Sequence, residues 1–147
     1  RTEQVQILMY DTMNGAGRLF GGRLMEWIDV VAAVVARRHS GCAVTTAAVD
    51  HLQFVAPAYA NETVILKGYI TYAGRTSMEV CVRTYVENLD GSRRQINRAY
   101  LVLVALGDDG RPTAVPPLLT ETEEEKKEYE EALKRREYRE LRRRENF

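Results

Sequence analysis

Asp29 stands where an apolar helix would not choose a carboxylate. In the stretch NGAGRLFGGRLMEWIDVVAAVVARRHSG it lies among Leu24, Ile28, Val31 and Val35, which recur at helical spacing. Almost the whole circumference from Leu24 to Ala36 is apolar, so the helix should be buried on most of its sides. An unpaired carboxylate is costly in such surroundings, and aspartate is a poor helix former beyond the first turn. Either Asp29 is paired, with Arg37, Arg75 or a tyrosine, or it does chemistry. Gly15, Gly17, Gly21 and Gly22 crowd the approach to the helix. A Gly21-Gly22 start leaves backbone N–H groups open and lets a ligand come close. Such an N-terminus attracts an oxyanion or a polarised carbonyl. Asp29 then lies roughly 10 Å further along the axis from Gly22. An acyl group along this helix would meet amides first and a carboxylate next. There the carboxylate could activate water or attack the carbonyl itself. Phe20 is either a hydrophobic staple at the helix start or a ligand contact.

Other reactive side chains offer less. His39 falls in the last turn of the helix with Arg37 and Arg38, where cations oppose the dipole, and Gly41 suits a C-terminal cap. His51 reads as a strand or rim residue, and neither histidine has a nucleophile near it in sequence. Cys42 and Cys81 are far apart and read as packed thiols in a reducing compartment. Asp50 is a second carboxylate in an apolar strand, either a site residue or a pairing partner. Metal-ligand spacing and a phosphate-gripping GxxxxGK loop are both absent.

The elements that must position these residues follow from pattern. VQILMY (5–10) reads as a short strand, DTMNGAG as a loop, and Gly22 to His39 as the helix. CAVTTAAVDHLQFVAP is a strand stopped by Pro57. ETVILKGYITYAG alternates, with Val64, Leu66, Ile70 and Tyr72 on one face. TSMEVCVRTYVEN places Met78, Val80, Val82 and Val86 inward and Glu79, Arg83 and Glu87 outward. The turn signals DGS and DDGR flank RRQINRAYLVLVALG. Long strands with short turns make an antiparallel sheet. One curved sheet must therefore wrap one central helix, with edges that oligomerisation would cover. The segment TETEEEKKEYEEALKRREYRELRRRENF is nearly all charged. Capping boxes at Thr120–Glu123 or Thr122–Glu125 could start a helix there. Its apolar seam is thin (Tyr129, Leu133, Tyr138, Leu141), so it should dock weakly or fray past Leu133, and truncation after Pro117 should be tolerated. Its arginines from Arg135 to Arg144 either face solvent or grip phosphates.

Length and charge bound the rest. A chain of 147 residues suits one domain with its own core. Lys plus Arg and Asp plus Glu both number 21, which gives no electrostatic reason to expect nucleic acid. No apolar run reaches the ~18 residues needed to span a membrane. The chain opens RTEQVQILMY with no initiating Met and no signal-peptide pattern, and a cytoplasmic location is expected.

The motif N-x-x-G-x-x-F-G-G-x-x-M-x-x-x-D, here Asn14, Gly17, Phe20, Gly21, Gly22, Met25 and Asp29, resembles that of the hotdog-fold acyl-CoA thioesterases of the bacterial and cytosolic acyl-CoA hydrolase type. VTTAAVDHLQFVAP and GRTSMEVCVRTYVE are similar to two further family motifs, in the family's order, over residues 10–105. The resemblance implies an α+β hotdog fold, an antiparallel sheet wrapped around one central helix, over residues 1–118, followed by a charged helical tail over 119–147. It implies hydrolysis of acyl-CoA with no cofactor and no metal, in a homodimer that assembles into a tetramer or hexamer. It makes Asp29 the catalytic base or nucleophile and Asn14, from the facing subunit, the second catalytic position. Gly21 and Gly22 would polarise the thioester carbonyl, Phe20 would contact substrate, and Arg75, Thr76 and Ser77 would meet the CoA moiety. Ala16, Arg18, Ala60 and Asn61 depart from the family pattern. Two other functions suit the fold: an acyl-CoA-binding module without turnover, and a dehydratase or hydratase. The latter normally wants a histidine where this helix has Asp29.

Overall fold

Gly41 ends the central helix as its position suggests. It adopts left-handed backbone (φ 70°), and its N–H returns to the Arg37 carbonyl. In the computed structural model, which describes residues 1–147, this helix is α1 (Gly21–Ser40). Before it come β1 (Thr2–Ile7) and a 3-10 turn at Tyr10–Thr12. After it come β2 (Ala43–Phe54), β3 (Thr63–Ala73), β4 (Ser77–Glu87), β5 (Arg93–Leu106) and α2 (Glu123–Glu145). The five strands form one sheet in the order β1-β3-β4-β5-β2, every pair antiparallel. This is the expected hotdog fold.

The sheet curls around one stripe of α1. Leu24, Ile28, Val31, Ala32, Val35 and Ala36 are buried against Val64, Leu66, Met78, Val80, Val82, Leu101 and Leu103. The approach is closest at Gly68 of β3, where an added Cβ would sit 2.6 Å from Val31 Cγ1 and 3.0 Å from Val35 Cγ2. Any side chain there would lift the helix off the sheet.

The rest of α1 is not buried within the chain, contrary to expectation. Met25, Asp29 and Val30 are exposed, the first two beside the edge strand β2, which leaves Val49 and Phe54 exposed, with Val55 just beyond its end. Two irregularities interrupt the pairing of β2 with β5, one between Thr46 and Ala48 and one between Asp50 and Gln53. His51 lies in the second, with φ 58°. Tyr72 also departs from strict alternation. A bulge between Ile70 and Tyr72 breaks the period, so Val64 and Leu66 join the core while the Tyr72 ring packs at a tilt of 50° against Tyr129 of α2, centroids 5.3 Å apart.

The tail differs most from its reading. It does not fray past Leu133: α2 runs to Glu145 across the outer face of the sheet. Thr122 caps it, accepting the Glu125 N–H at 3.1 Å, which decides between the two candidate boxes. Of the expected apolar seam, Tyr129 and Leu141 are half-buried while Leu133 and Tyr138 are exposed, and polar contacts make up much of the docking. Glu79 points outward as the alternation requires, yet its side chain is 0% exposed. Arg135 grips it through Nε and Nη2 (2.7 Å to Oε1), Arg139 reaches it at 2.9 Å, and the Thr71 hydroxyl donates at 2.7 Å. Arg136 donates to the Tyr72 hydroxyl at 2.6 Å, and Tyr69 donates to Glu128 at 3.0 Å. Burial opposes the Arg135 charge, but the bonds to Glu79 outweigh it and hold its pKa raised.

Docking through a buried ion pair makes the tail part of the folded unit. Removing one partner of such a pair costs ~3–5 kcal/mol, because the other charge stays buried. Arg135→Ala should lower the unfolding free energy by about 3 kcal/mol in urea titration, since Arg139 remains on Glu79. Truncation after Pro117 should leave an aggregating chain. Cooperative unfolding of the truncated chain at the full-length midpoint would show that α2 holds nothing.

Candidate active site

The first turn of α1 is open at its end. Phe20 is the N-cap residue, in extended backbone and with no side-chain cap. The Arg23 and Leu24 N–H groups return to the Phe20 carbonyl at 3.1 and 3.2 Å, but those of Gly21 and Gly22 find no acceptor in the chain. The Phe20 ring lies over Gly22, 2.7 Å from where a Cβ would be, and the Phe54 ring is 3.4 Å from the corresponding point on Gly21. Two aromatic rings thus flank two free amides at the positive end of the helix dipole.

Asp29 projects from the uncovered side of α1. None of the pairings with Arg37, Arg75 or a tyrosine forms; its partner is Thr46, whose hydroxyl donates to Oδ1 at 2.6 Å. The other carboxylate oxygen has no partner in the chain. Thr46 lies just before the first bulge of β2, on the strand face that meets α1. Gly22, Met25, Asp29, Thr46, Val49 and Leu52 share the lining of a cleft of about 320 Å³. One end of it carries helix-start backbone, the middle a carboxylate held by one oxygen, and the wall aliphatic side chains. This arrangement can seat an apolar acyl group with its carbonyl near donors and a base alongside.

The other expected site residues lie elsewhere in the chain. The Asn14 side-chain oxygen accepts from the N–H groups of Ala16 (2.8 Å) and Arg18 (3.1 Å), closing the loop that Gly17 turns at φ 75°. Its amide nitrogen is uncommitted, and it does not line the cleft of its own chain. Arg75 and Thr76 lie in the β3–β4 connection and Ser77 opens β4. The Ser77 carbonyl accepts from Gly74, that of Thr76 from Ala105 and that of Arg75 from Val115. The Arg75 side chain is exposed and makes no ion pair, and none of the three lines the cleft. Thr46 was not singled out in the sequence: a threonine in a β-branched strand carries no signal until the bulge beside it is known.

The remaining candidates have structural partners. His39 hydrogen-bonds the Pro116 carbonyl at 2.8 Å, and His51 sits in the β2 bulge. Asp50 faces away from the cleft, toward Arg139 and Arg142 of α2. Those two arginines and Arg135 are therefore engaged with the sheet. No group of three or more His, Cys, Asp or Glu side chains is placed to hold a metal ion, and no helix is long and apolar enough to cross a membrane.

The family pattern described as the thioesterase superfamily matches residues 16–91, more than half of the chain, from the glycine approach through β4. The chain belongs to this superfamily. Among its relatives, an uncharacterized acyl-CoA thioester hydrolase of Bacillus subtilis is 40% identical over 113 residues, covering 76% of this chain and 66% of that protein. The chain spans 24% of a mouse acyl-coenzyme A thioesterase and 31% of a rat cytosolic acyl coenzyme A thioester hydrolase, so those relatives extend well beyond it. An apo-hexameric acyl-CoA thioesterase superposes with a TM-score of 0.92 at 39% identity, covering 96% of this chain and 91% of that one. An acyl-CoA hydrolase from Staphylococcus aureus, solved with butyryl coenzyme A, coenzyme A and coenzyme A disulfide, superposes at 0.93 with 33% identity, covering 99% of this chain and 89% of that one. Alanine variants of that hydrolase were solved at an asparagine, an aspartate and a threonine, spaced in sequence as Asn14, Asp29 and Thr46 are spaced in this superfamily member.

The two thiols should differ in reactivity. Cys81 is fully buried under α2, and burial pushes its thiol above the ordinary cysteine range; Cys42 is half-buried at the end of α1. Only the thiolate alkylates. In native protein at pH 8, iodoacetamide should label Cys42 and leave Cys81 unmodified until denaturant is added, as read by peptide mass spectrometry.

Proposed function

We propose that this chain hydrolyses acyl-CoA thioesters to a free acid and coenzyme A. The observation that carries the reading is Asp29, held by Thr46 beside the free amides of Gly21 and Gly22 in an apolar cleft. The thioester carbonyl would lie against the helix-start amides, with Phe20 flanking the substrate, and the oxyanion would gain from donors already in place. Thr46 fixes one oxygen of Asp29 and leaves the other free. That oxygen would take a proton from water as the water oxygen bonds to the carbonyl carbon. The C–S bond then breaks, and coenzyme A leaves as a thiolate that is protonated from solvent. A thiolate leaves readily, so no strong general acid is called for, and no metal or other cofactor enters. In a nucleophilic variant of the route the same oxygen would attack the carbonyl carbon and water would hydrolyse the resulting anhydride.

The likeness to acyl-CoA hydrolases supports the substrate class, and the coenzyme A-bound Staphylococcus aureus structure supports coenzyme A as the group carried. Asn14 would complete the site from a second copy of the chain, with its uncommitted amide donating to the substrate. Arg75, Thr76 and Ser77 would meet the phosphate-bearing part of coenzyme A, for which the unpaired Arg75 guanidinium is suited. A cytoplasmic setting accords with two unpaired cysteines and with the cytosolic relatives. Assembly is supported by the uncovered faces of α1 and β2 and by relatives described as hexameric.

Two outcomes follow. Asp29→Asn should keep the fold and lose ~10²–10⁴-fold in kcat with butyryl-CoA, the loss expected for a base. Near-native turnover of that variant, followed with a thiol reagent, would remove Asp29 from the mechanism. In sedimentation velocity at micromolar concentration the chain should run as a dimer or a multiple of one. An active monomer would refute both the assembly and the role of Asn14.

A further inference from the structure

The segment of β2 that carries the cleft wall pairs with the sheet over a short run. Between the two irregularities only Ala48, Val49 and Asp50 pair in register, with Val102, Leu101 and Tyr100. The strand is at the sheet edge, and His51 just beyond holds a left-handed backbone that a non-glycine residue adopts at some cost. A slip of one residue in this run would turn Val49 away from α1 and pull on Thr46 across the first irregularity. The side chain that leaves this segment outward, Asp50, is only 14% exposed. Arg139 donates to its Oδ2 at 3.2 Å and Arg142 to its Oδ1 at 3.0 Å. Arg139 also holds Glu79 of β4, so one guanidinium ties the edge strand to the middle of the sheet. From the inner side, Asn97 of β5 donates to the Gln53 carbonyl at 2.7 Å, at the far end of the same irregularity.

We infer that Arg139 and Arg142 of α2, acting through Asp50, are positioning residues that hold the bulged segment of β2 in the register that aims Thr46 at Asp29. None of these residues touches the substrate. The inference rests on the role of Asp29 proposed above, so its test also reads the strand without turnover.

Asp50→Asn removes the charge and keeps the shape. In this variant kcat should fall about tenfold with KM within about twofold, because a misplaced site loses rate before it loses binding. Amide hydrogen exchange should quicken about tenfold over residues 46–53 but not in β3 or β4. Asp50→Glu should recover most of the rate. Arg136→Gln, on the same helix, is the comparison: it breaks the bond to Tyr72 of β3, should lower the melting temperature, and should leave kcat unchanged. If Asp50→Asn does not fold, Arg142→Gln is read on the same axes and should show a smaller loss of the same sign. The inference is overturned by unchanged exchange over 46–53, by quickened exchange with kcat intact, or by equal kcat losses in the Asp50 and Arg136 variants. A wild-type chain that fails to hydrolyse acyl-CoA would overturn the proposed function, and the exchange data alone would then decide whether the brace exists.

Discussion

The depth at which α1 settles onto the sheet governs the molecule. Gly68 lets the helix backbone come down until Val31 and Val35 touch β3, and the curl of the strands follows from closing over a helix that low. The same depth brings Asp29 within 2.6 Å of a hydroxyl on the opposite edge of the sheet. A helix held even an ångström higher would leave that hydrogen bond unmade and the carboxylate free to rotate. Packing on one side of α1 thus sets geometry on the other, and a glycine far from the cleft shapes it.

Two carboxylates show how environment sorts one kind of group into different work. Glu79 is sealed under α2 with both oxygens bonded to arginine. Asp29 keeps one oxygen open to an apolar cleft. Charge and chemistry are alike in the two; what differs is the number of donors and the access of a third molecule. A buried, fully bonded carboxylate is architecture, and a half-bonded one in a cleft is available for reaction.

Much of this was legible from residue types and spacing. The position of α1, its glycine cap, the succession of strands along the chain and the oddity of Asp29 all follow from local pattern, which is what helices, turns and alternation are made of. The parts that escaped depend on contacts across the fold. Alternation placed Glu79 outward correctly but could not tell solvent from the underside of another helix. The apolar residues of α2 show only part of its docking face: Tyr129 packs on Tyr72, but Glu128, Arg135 and Arg139 dock through charge, which an apolar seam does not reveal. Bulges moved Tyr72 to the other face and set Thr46 against Asp29, and a bulge leaves little trace in a run of β-branched residues. Asn14 and the Arg75–Ser77 connection were placed in the site by family resemblance, and in a single chain they lie apart from the cleft.

The polar docking of α2 has a bearing on how the chain is free to vary. A greasy seam forgives sliding, since one aliphatic contact replaces another. A guanidinium fork on a carboxylate does not, because both partners must keep their direction as well as their distance. Arg135, Arg139 and Arg142 occupy one face of the helix at steps of four and three, matched to acids on two different strands. The solvent side of α2 can therefore drift almost without limit while this triplet and its acids change only together. That linkage should leave a long-range covariation signature, by which chains sharing this outer layer would be told from those that share only the wrapped helix.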